Sequence, residues 1–409
     1  MLETMERPSS PRGSSVLGVA PAAQALEEHL RSFDRAFGRG GNVRAFFSPG
    51  RVNLMGAHLD YNGGPVMPMA IDRGTFLAVR ERSDDQVCLR STSEEGEFRF
   101  HLPHPPATRA GRWSDYPCGV VRSLGRGATR GLEILFGGNL PVGAGLSSSA
   151  SICVGTAYAL DQVWGLGLQP GERVGAALDA ERGFVGVQCG IMDPYAVGLA
   201  RQGHLLWLDC KDASWEHLPI DHGVVRVAVA DTLVRRELAQ GAFNRRVEEA
   251  GRAFGELRRH APEASCLRDV TLDVLERHGD DLEPTLRARA THVVHEVRRT
   301  FQAREALLAG DVASFGARML ESHASLRDFY DVSVPELDCL VESAAAESGV
   351  LGARLTGAGF GGCVVILLER GAEPALERVR ERFARRFGRE PRIELFGGDS
   401  GPRELATSG

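Results

Sequence analysis

Apolar residues fall along the chain in two successive patterns. From about Gly41 to Asp209, short apolar runs bounded by glycine, such as GLEILFGG (131–138) and GHLLWLDC (203–210), alternate with small-residue stretches of helical character. That alternation predicts mixed helix and strand. A second pattern begins near Asp221, where VVRVAVAD (224–231) reads as a buried strand. Amphipathic stretches at 244–260 and 283–309 follow, then a Gly-rich turn, the strand CVVILL (363–368) and a closing helix rich in Arg and Glu at 373–388. The change of pattern predicts a boundary near 211–222, dividing the chain into a tail with a first helix (1–40), a first domain (41–215) and a second (216–409). No repeat of solenoid length is visible, which argues against a stacked array.

Composition narrows the function classes. A chain of 409 residues exceeds what one core usually supports, so two domains are expected. With 43% hydrophobic residues, 25% charged residues and a net charge of −6, there is no basic stripe to displace phosphate counterions, and a nucleic-acid partner is not expected. The 49 glycines, many clustered, point to loops that approach a ligand closely. Eight dispersed cysteines without CxxC or metal-ligand spacing read as reduced, mostly buried thiols of a cytoplasmic protein. The opening MLETMERPSSPRGSSVLGVA is unlike a secretory signal, and no apolar run reaches membrane-spanning length, so a frayed N-terminal tail and no membrane partner are expected.

Four glycine-containing segments carry the chemistry. In NLPVGAGLSSSASICVGTAYALDQVWG (139–165) a flexible loop and a run of hydroxyls open a helix. Unpaired N–H groups and the positive end of the helix dipole then face outward, which suits phosphate. Ser147, Ser148 and Ser149 add hydroxyls for phosphate or magnesium, although a serine-capped turn explains the loop equally well. The segment lacks the GK[ST] ending of a Walker A loop. In AERGFVGVQCGIMDPYAVGLA (180–200), Asp193 is placed to accept a proton or to cap a helix, and Glu181 to ligate magnesium or to face solvent. RLTGAGFGGCVVILL (354–368) has four glycines within residues 357–362, then a strand. Upstream, GRVNLMGAHLDYNGG (50–64) sets Arg, Asn, His, Asp and Tyr between glycines, an arrangement suited to a small polyol.

Together these segments resemble the GHMP small-molecule kinases, and among them the galactokinases, over about Val43 to Arg392. GRVNLMGAHLDY is similar to the sugar signature G-R-x-N-[LIV]-I-G-E-H-x-D-Y, PVGAGLSSSAS to the ATP loop, GVQCGIMDPYA to the catalytic-Asp segment, RLTGAGFGGC to the third motif and RWSDYPCGVV (112–121) to the Trp segment near the adenine. The resemblance implies an α+β, two-domain fold, with an N-terminal domain like that of ribosomal protein S5 and a ferredoxin-like C-terminal domain. It implies ATP and Mg2+ as cofactors and a small-molecule sugar as substrate, phosphorylated at C1. By matching position, Arg51 and Asp193 are the catalytic pair; Ser148 and Glu181 hold magnesium; Trp113, Gly143, Gly145, Ser147, Ser148 and Ser149 bind ATP; and Ala57, His58, Asp60, Gly190 and Phe243 meet the sugar. A monomer or weak homodimer is expected.

Two positions depart from the family pattern. Ala57 replaces a Glu that reaches toward the sugar near C6, and Phe243 in GAFNRR replaces a Tyr. One lost neutral hydrogen bond is worth about 0.5–1.5 kcal/mol, so galactose binding survives at a raised KM. A Glu there would repel a C6 carboxylate by about 4 kcal/mol at 4 Å and an effective dielectric of 20, so Ala57 also permits galacturonate; Arg245 or Arg246 could supply a carboxylate partner, although solvation at the surface is the expected use of each. The alternatives are a catalytically silent sugar and ATP sensor, or a GHMP kinase for a non-sugar substrate; the intact Arg51, Asp193 and serine run argue against the first, and the His58/Asp60/Tyr61 cluster against the second.

Overall fold

A strand covered on both faces is buried at consecutive positions rather than alternate ones. β1 (Val43–Asn53) is buried continuously from Ala45, and β3 (Pro68–Glu81) over most of its length. The computed structural model describes residues 22–126, 128, 130–140, 145–187, 189–234 and 239–406; the expected N-terminal tail and Gly143 lie outside the described residues. β1 and β3 form the antiparallel centre of a six-stranded sheet of order β13-β1-β3-β6-β4-β5, completed by β4 (Gln86–Ser91), β5 (Glu97–His101), β6 (Leu132–Gly138) and β13 (Arg403–Leu405). Side chains alternate across it. Leu77, Val79, Ile134 and Phe136 meet α2 (Asp115–Leu124), α3 (Ser148–Trp164) and α4 (Pro170–Asp179), while Ala78 and Leu135 point the other way onto Phe33 of α1 (Ala22–Phe37). Ser151 anchors α3 to the sheet by donating to the Ser48 carbonyl at 2.8 Å.

The second unit is an antiparallel sheet of order β10-β11-β9-β12, with β9 (Val225–Asp231), β10 (Val350–Thr356), β11 (Cys363–Glu369) and β12 (Arg392–Phe396). Ala228, Ala230, Val364 and Ile366 face α6 (Ala239–Leu257), α8 (Pro284–Leu308), α10 (Pro335–Ala345) and α11 (Ala375–Phe387). The opposite face, Val227, Val229 and Val365, packs with Phe315 and Met319 of α9 (Val312–Ser325) and with Val52, Leu54, Met69 and Ile71 from β1 to β3. The two units therefore share a hydrophobic core. A small sheet of β2 (Pro65–Val66), β7 (His204–Asp209) and β8 (Trp215–Pro219), with helices α5 (Met192–Gly198) and α7 (Leu272–His278), completes the architecture.

One expected assignment is corrected. The span 216–409 does not stay in the second unit, because β13 returns to pair with Ala45–Phe47 of β1. The reason is physical: β1 would otherwise present an open edge, and Arg44 grips Glu404 with two hydrogen bonds of 2.7 Å across the pairing.

Candidate active site

The register of β1 against β3 breaks between Pro49 and Gly50, leaving Asp72 and Arg73 of β3 without partners in β1. Just past that break stands Arg51, 4% exposed. Its Nε and Nη2 each donate to one carboxylate oxygen of Asp193 at 2.7 Å, and Nη1 donates to the Gly145 carbonyl at 2.7 Å. Asp193 lies in the first turn of α5. Ser147, the residue before α3, has φ +62° and donates its hydroxyl to Asp193 Oδ2 at 2.5 Å. A carboxylate held by a planar fork and a hydroxyl has a fixed direction.

On one side of this pair lies a cavity of about 310 Å³, lined by Ala57, His58, Asp60, Gly190, Phe243 and Arg354 among others. A Cβ on Gly190 would sit 1.8 Å from Asp60 Oδ2, so glycine there lets the carboxylate reach its place. Burial, and then the charge of Asp193, raise the Asp60 pKa to about 6. His58 has φ +58°. Burial lowers its pKa to about 3, so the imidazole is neutral. Its Nδ1 lies 2.8 Å from the Tyr61 hydroxyl, which lies 2.9 Å from the Tyr330 hydroxyl. His58 Nε2 and Asn53 Oδ1 are buried without a hydrogen-bond partner, and both residues line the cavity. Such orphaned polar atoms suit a ligand rich in hydroxyls.

A second cavity of about 270 Å³ is lined by Trp113, Tyr116, Phe136, Gly137, Ser148 and Ser149, with other residues of β3 and β6. Trp113 stands edge-on to Phe136, ring centroids 5.5 Å apart. A flat aromatic base fits such walls. Glu181 sits 3% exposed in the turn after α4, its Oε2 without a partner. Burial raises its pKa to about 7, the Ser149 hydroxyl pulls it down and Asp193 pushes it up. An unpartnered buried carboxylate beside serine hydroxyls is the donor chemistry of a hard divalent cation.

The galactose-binding signature of galactokinases matches residues 31–81, the GHMP kinase N-terminal domain 115–201 and the GHMP kinase C-terminal domain 303–385. A galactokinase of Roseiflexus sp. is 44% identical over 343 residues, covering 83% of this chain and 86% of that protein. The chain belongs to the galactokinase family. The human galactokinase is 40% identical over 372 residues, covering 88% of this chain and 93% of its own length. The crystal structure of Lactococcus lactis galactokinase complexed with galactose superposes with a TM-score of 0.88 at 33% identity, covering 93% of this chain and all of that one. A mevalonate kinase of Methanococcus jannaschii shares the GHMP fold at a TM-score of 0.62 and 19% identity, covering 88% of this chain and 99% of that one. The galactokinase assignment makes the chain a sugar kinase of two-domain GHMP architecture.

Within this galactokinase frame the expected sugar residues, Ala57, His58, Asp60, Gly190 and Phe243, line one cavity with Arg51 and Asp193. Of the residues expected at ATP, Trp113, Ser148 and Ser149 line the other, Gly145 meets Arg51, and Ser147 commits its hydroxyl to Asp193. Glu181 has Ser149, rather than Ser148, as its stabilising hydroxyl. Arg246 is not a free cation for a substrate carboxylate: it bonds Glu249, Asp331 and the Tyr330 carbonyl. Arg245 is exposed and is not among the cavity's lining residues. Sequence reasoning did not single out Arg354, 1% exposed in the cavity wall, or assign a role to Asn53. Asn53 was visible as a polar residue of the 50–64 motif, whereas an arginine within a strand carries no such signal.

Proposed function

We propose that this galactokinase-family chain transfers the γ-phosphoryl group of ATP to the C1 hydroxyl of D-galactose, with magnesium. The observation that carries the reading is the Arg51–Asp193–Ser147 cluster: Arg51 and Asp193 line the polyol-suited cavity, and Ser147 immediately precedes two serines that line the aromatic-walled one. Asp60, His58 and Asn53 hold the sugar hydroxyls. Asp193, fixed by Arg51, orients the C1 hydroxyl and takes its proton as the new O–P bond forms and the bond to the ADP oxygen breaks. Arg51 carries positive charge to the same place and balances the charge developing there. Ser148 and Glu181 would hold magnesium, which would supply positive charge to neutralise the phosphate oxygens. Localisation in the cytoplasm and a monomer or weak dimer complete the reading.

ADP release with matched concentrations of galactose, galacturonate, arabinose, N-acetylgalactosamine and glucose tests it. Galactose is expected to turn over fastest, Asp193→Asn to reduce kcat by about 10²–10⁴-fold, and chelation of magnesium to stop turnover. No turnover on any sugar, with ATP still bound, would overturn the kinase reading in favour of a sensor. Fastest turnover on galacturonate would replace galactose as the substrate.

A further inference from the structure

The loop that carries His58 and Asp60 is hydrogen-bonded to the second unit. Ala57 is the residue where this happens. Its N–H donates to Glu296 Oε1 at 3.2 Å, and its carbonyl lies 3.2 Å from His292 Nε2. Both partners come from α8, four residues apart and so on one face of the helix. Neither is exposed at all.

The protonation states follow from the partners. Burial lowers the His292 pKa to about 4, so the ring is neutral and carries one proton. A carbonyl only accepts, so that proton is on Nε2, and Nδ1 accepts from the Ser325 hydroxyl at 2.8 Å. Burial pushes Glu296 up, but the charges of Arg299 and Arg354 and the Ser322 hydroxyl outweigh it and hold the group below its ordinary value, hence ionised. Ser322 donates to the same Oε1 at 2.6 Å.

We propose that His292 and Glu296 are positioning residues for sugar recognition: they clamp both peptide groups of Ala57 and thereby fix the backbone turn that aims His58 and Asp60 into the cavity. The turn needs holding. Gly56 has φ +83° and His58 has φ +58°, the latter a conformation that L side chains rarely adopt. Ala57 lies between them, and the clamp grips only its backbone. The clamp makes no use of the side chain at position 57; the Ala57 methyl is 2% exposed, packed in the core at the cavity wall.

This inference rests on the sugar-kinase reading above, and the test separates the two. Galactose KM, ATP KM, kcat, galactose affinity by calorimetry and melting temperature would be measured for wild type, His292→Phe, His292→Gln and Glu296→Met. His292→Phe removes the donor; His292→Gln keeps an N–H near the same place. His292→Phe and Glu296→Met are expected to raise galactose KM and Kd by about fivefold to tenfold, with ATP KM held within about twofold, and His292→Gln to recover most of the loss. An unchanged galactose KM and Kd in His292→Phe, or ATP and galactose constants that worsen together with falling melting temperature in every variant, would overturn the clamp. Wild type that binds galactose without turning it over would overturn the kinase reading while calorimetry still tests the clamp; wild type that binds no galacto-configured sugar would overturn both.

Discussion

At Gly190 one added methyl group decides whether the cavity proposed for the sugar keeps its acid. The Cβ of an alanine there would lie 1.8 Å from Asp60 Oδ2, far inside contact distance, and Asp60 would have to swing away. Hydrogen bonds to a charged group are worth about 1.5–3 kcal/mol each. Gly190→Ala is accordingly expected to raise galactose KM by about tenfold or more and to leave ATP KM unchanged in steady-state assays. Asp60 also sets a pH dependence. Its pKa in the folded chain is raised from 3.8 to about 6, first by burial. On the proposed reading the ionised form accepts sugar hydroxyls, so kcat/KM for galactose is expected to fall as pH drops below about 6, whereas kcat, read in the sugar complex, falls less. The linkage to stability has the opposite sense. Between about pH 4 and 6 the native state holds the proton more tightly than the unfolded chain, so this group's unfavourable contribution to folding grows as pH rises through that window and is complete above it. A kcat/KM profile flat from pH 5 to 8 would remove Asp60 from sugar recognition.

Among the elements, the two Gly-rich loops matter because they touch. A Cβ on Gly357 would stand 3.3 Å from both the Cα and the carbonyl oxygen of Gly145, and Gly357 has φ +82°. That Gly145 oxygen is the one that receives Arg51 Nη1. Gly357→Ala adds a left-handed backbone cost of about 1–2 kcal/mol and presses on the carbonyl that holds Arg51, the arginine proposed to act in catalysis. The expected result is a kcat about tenfold lower with little change in galactose KM, and a melting temperature lower by about 1–2 °C; a rise in galactose KM at constant kcat would place the loop contact in binding instead. Elements of this kind were legible because their burial is continuous or periodic. The run at 224–231 became β9, 363–368 became β11 and 283–309 became α8, each within a residue or two. The glycines and the polar cluster of 50–64 were legible for a related reason: they are unusual wherever they occur. The clamp was not. HVVHEVRRT reads as an ordinary helix face, and only the tertiary fold turns His292 and Glu296 onto a loop more than 230 residues away. Arg354 was hidden likewise, since an arginine near the end of a strand gives no sign that its side chain is buried.

For the whole molecule, β1 joins the parts that chemistry needs to the part that stability needs. Its far end delivers Arg51 to the cluster, and its near end is closed by β13, three residues with no apolar pattern to announce a strand. This late return escaped sequence reading because a three-residue polar strand is specified by its partner rather than by itself. Arg403 lies over the Phe47 ring, 4.7 Å from its centroid, and Glu404 takes both hydrogen bonds from Arg44, in a pair that is partly exposed. Screening by solvent limits that ion pair to about 1 kcal/mol, and the cation over the ring adds about 0.5–1 kcal/mol. Truncation after Gly401 removes these contacts and uncovers the N–H and C=O groups of Ala45–Phe47. The truncated chain is expected to melt about 2–4 °C lower and to self-associate on warming through the bared edge, as followed by light scattering. Its galactose affinity at low temperature should match that of the full chain, because the register break at Pro49/Gly50 lies between the uncovered segment and Arg51. Loss of galactose affinity in a truncated chain that still melts cooperatively would mean that β1 transmits strain along its whole length, and that the strand closing the sheet also sets the aim of Arg51.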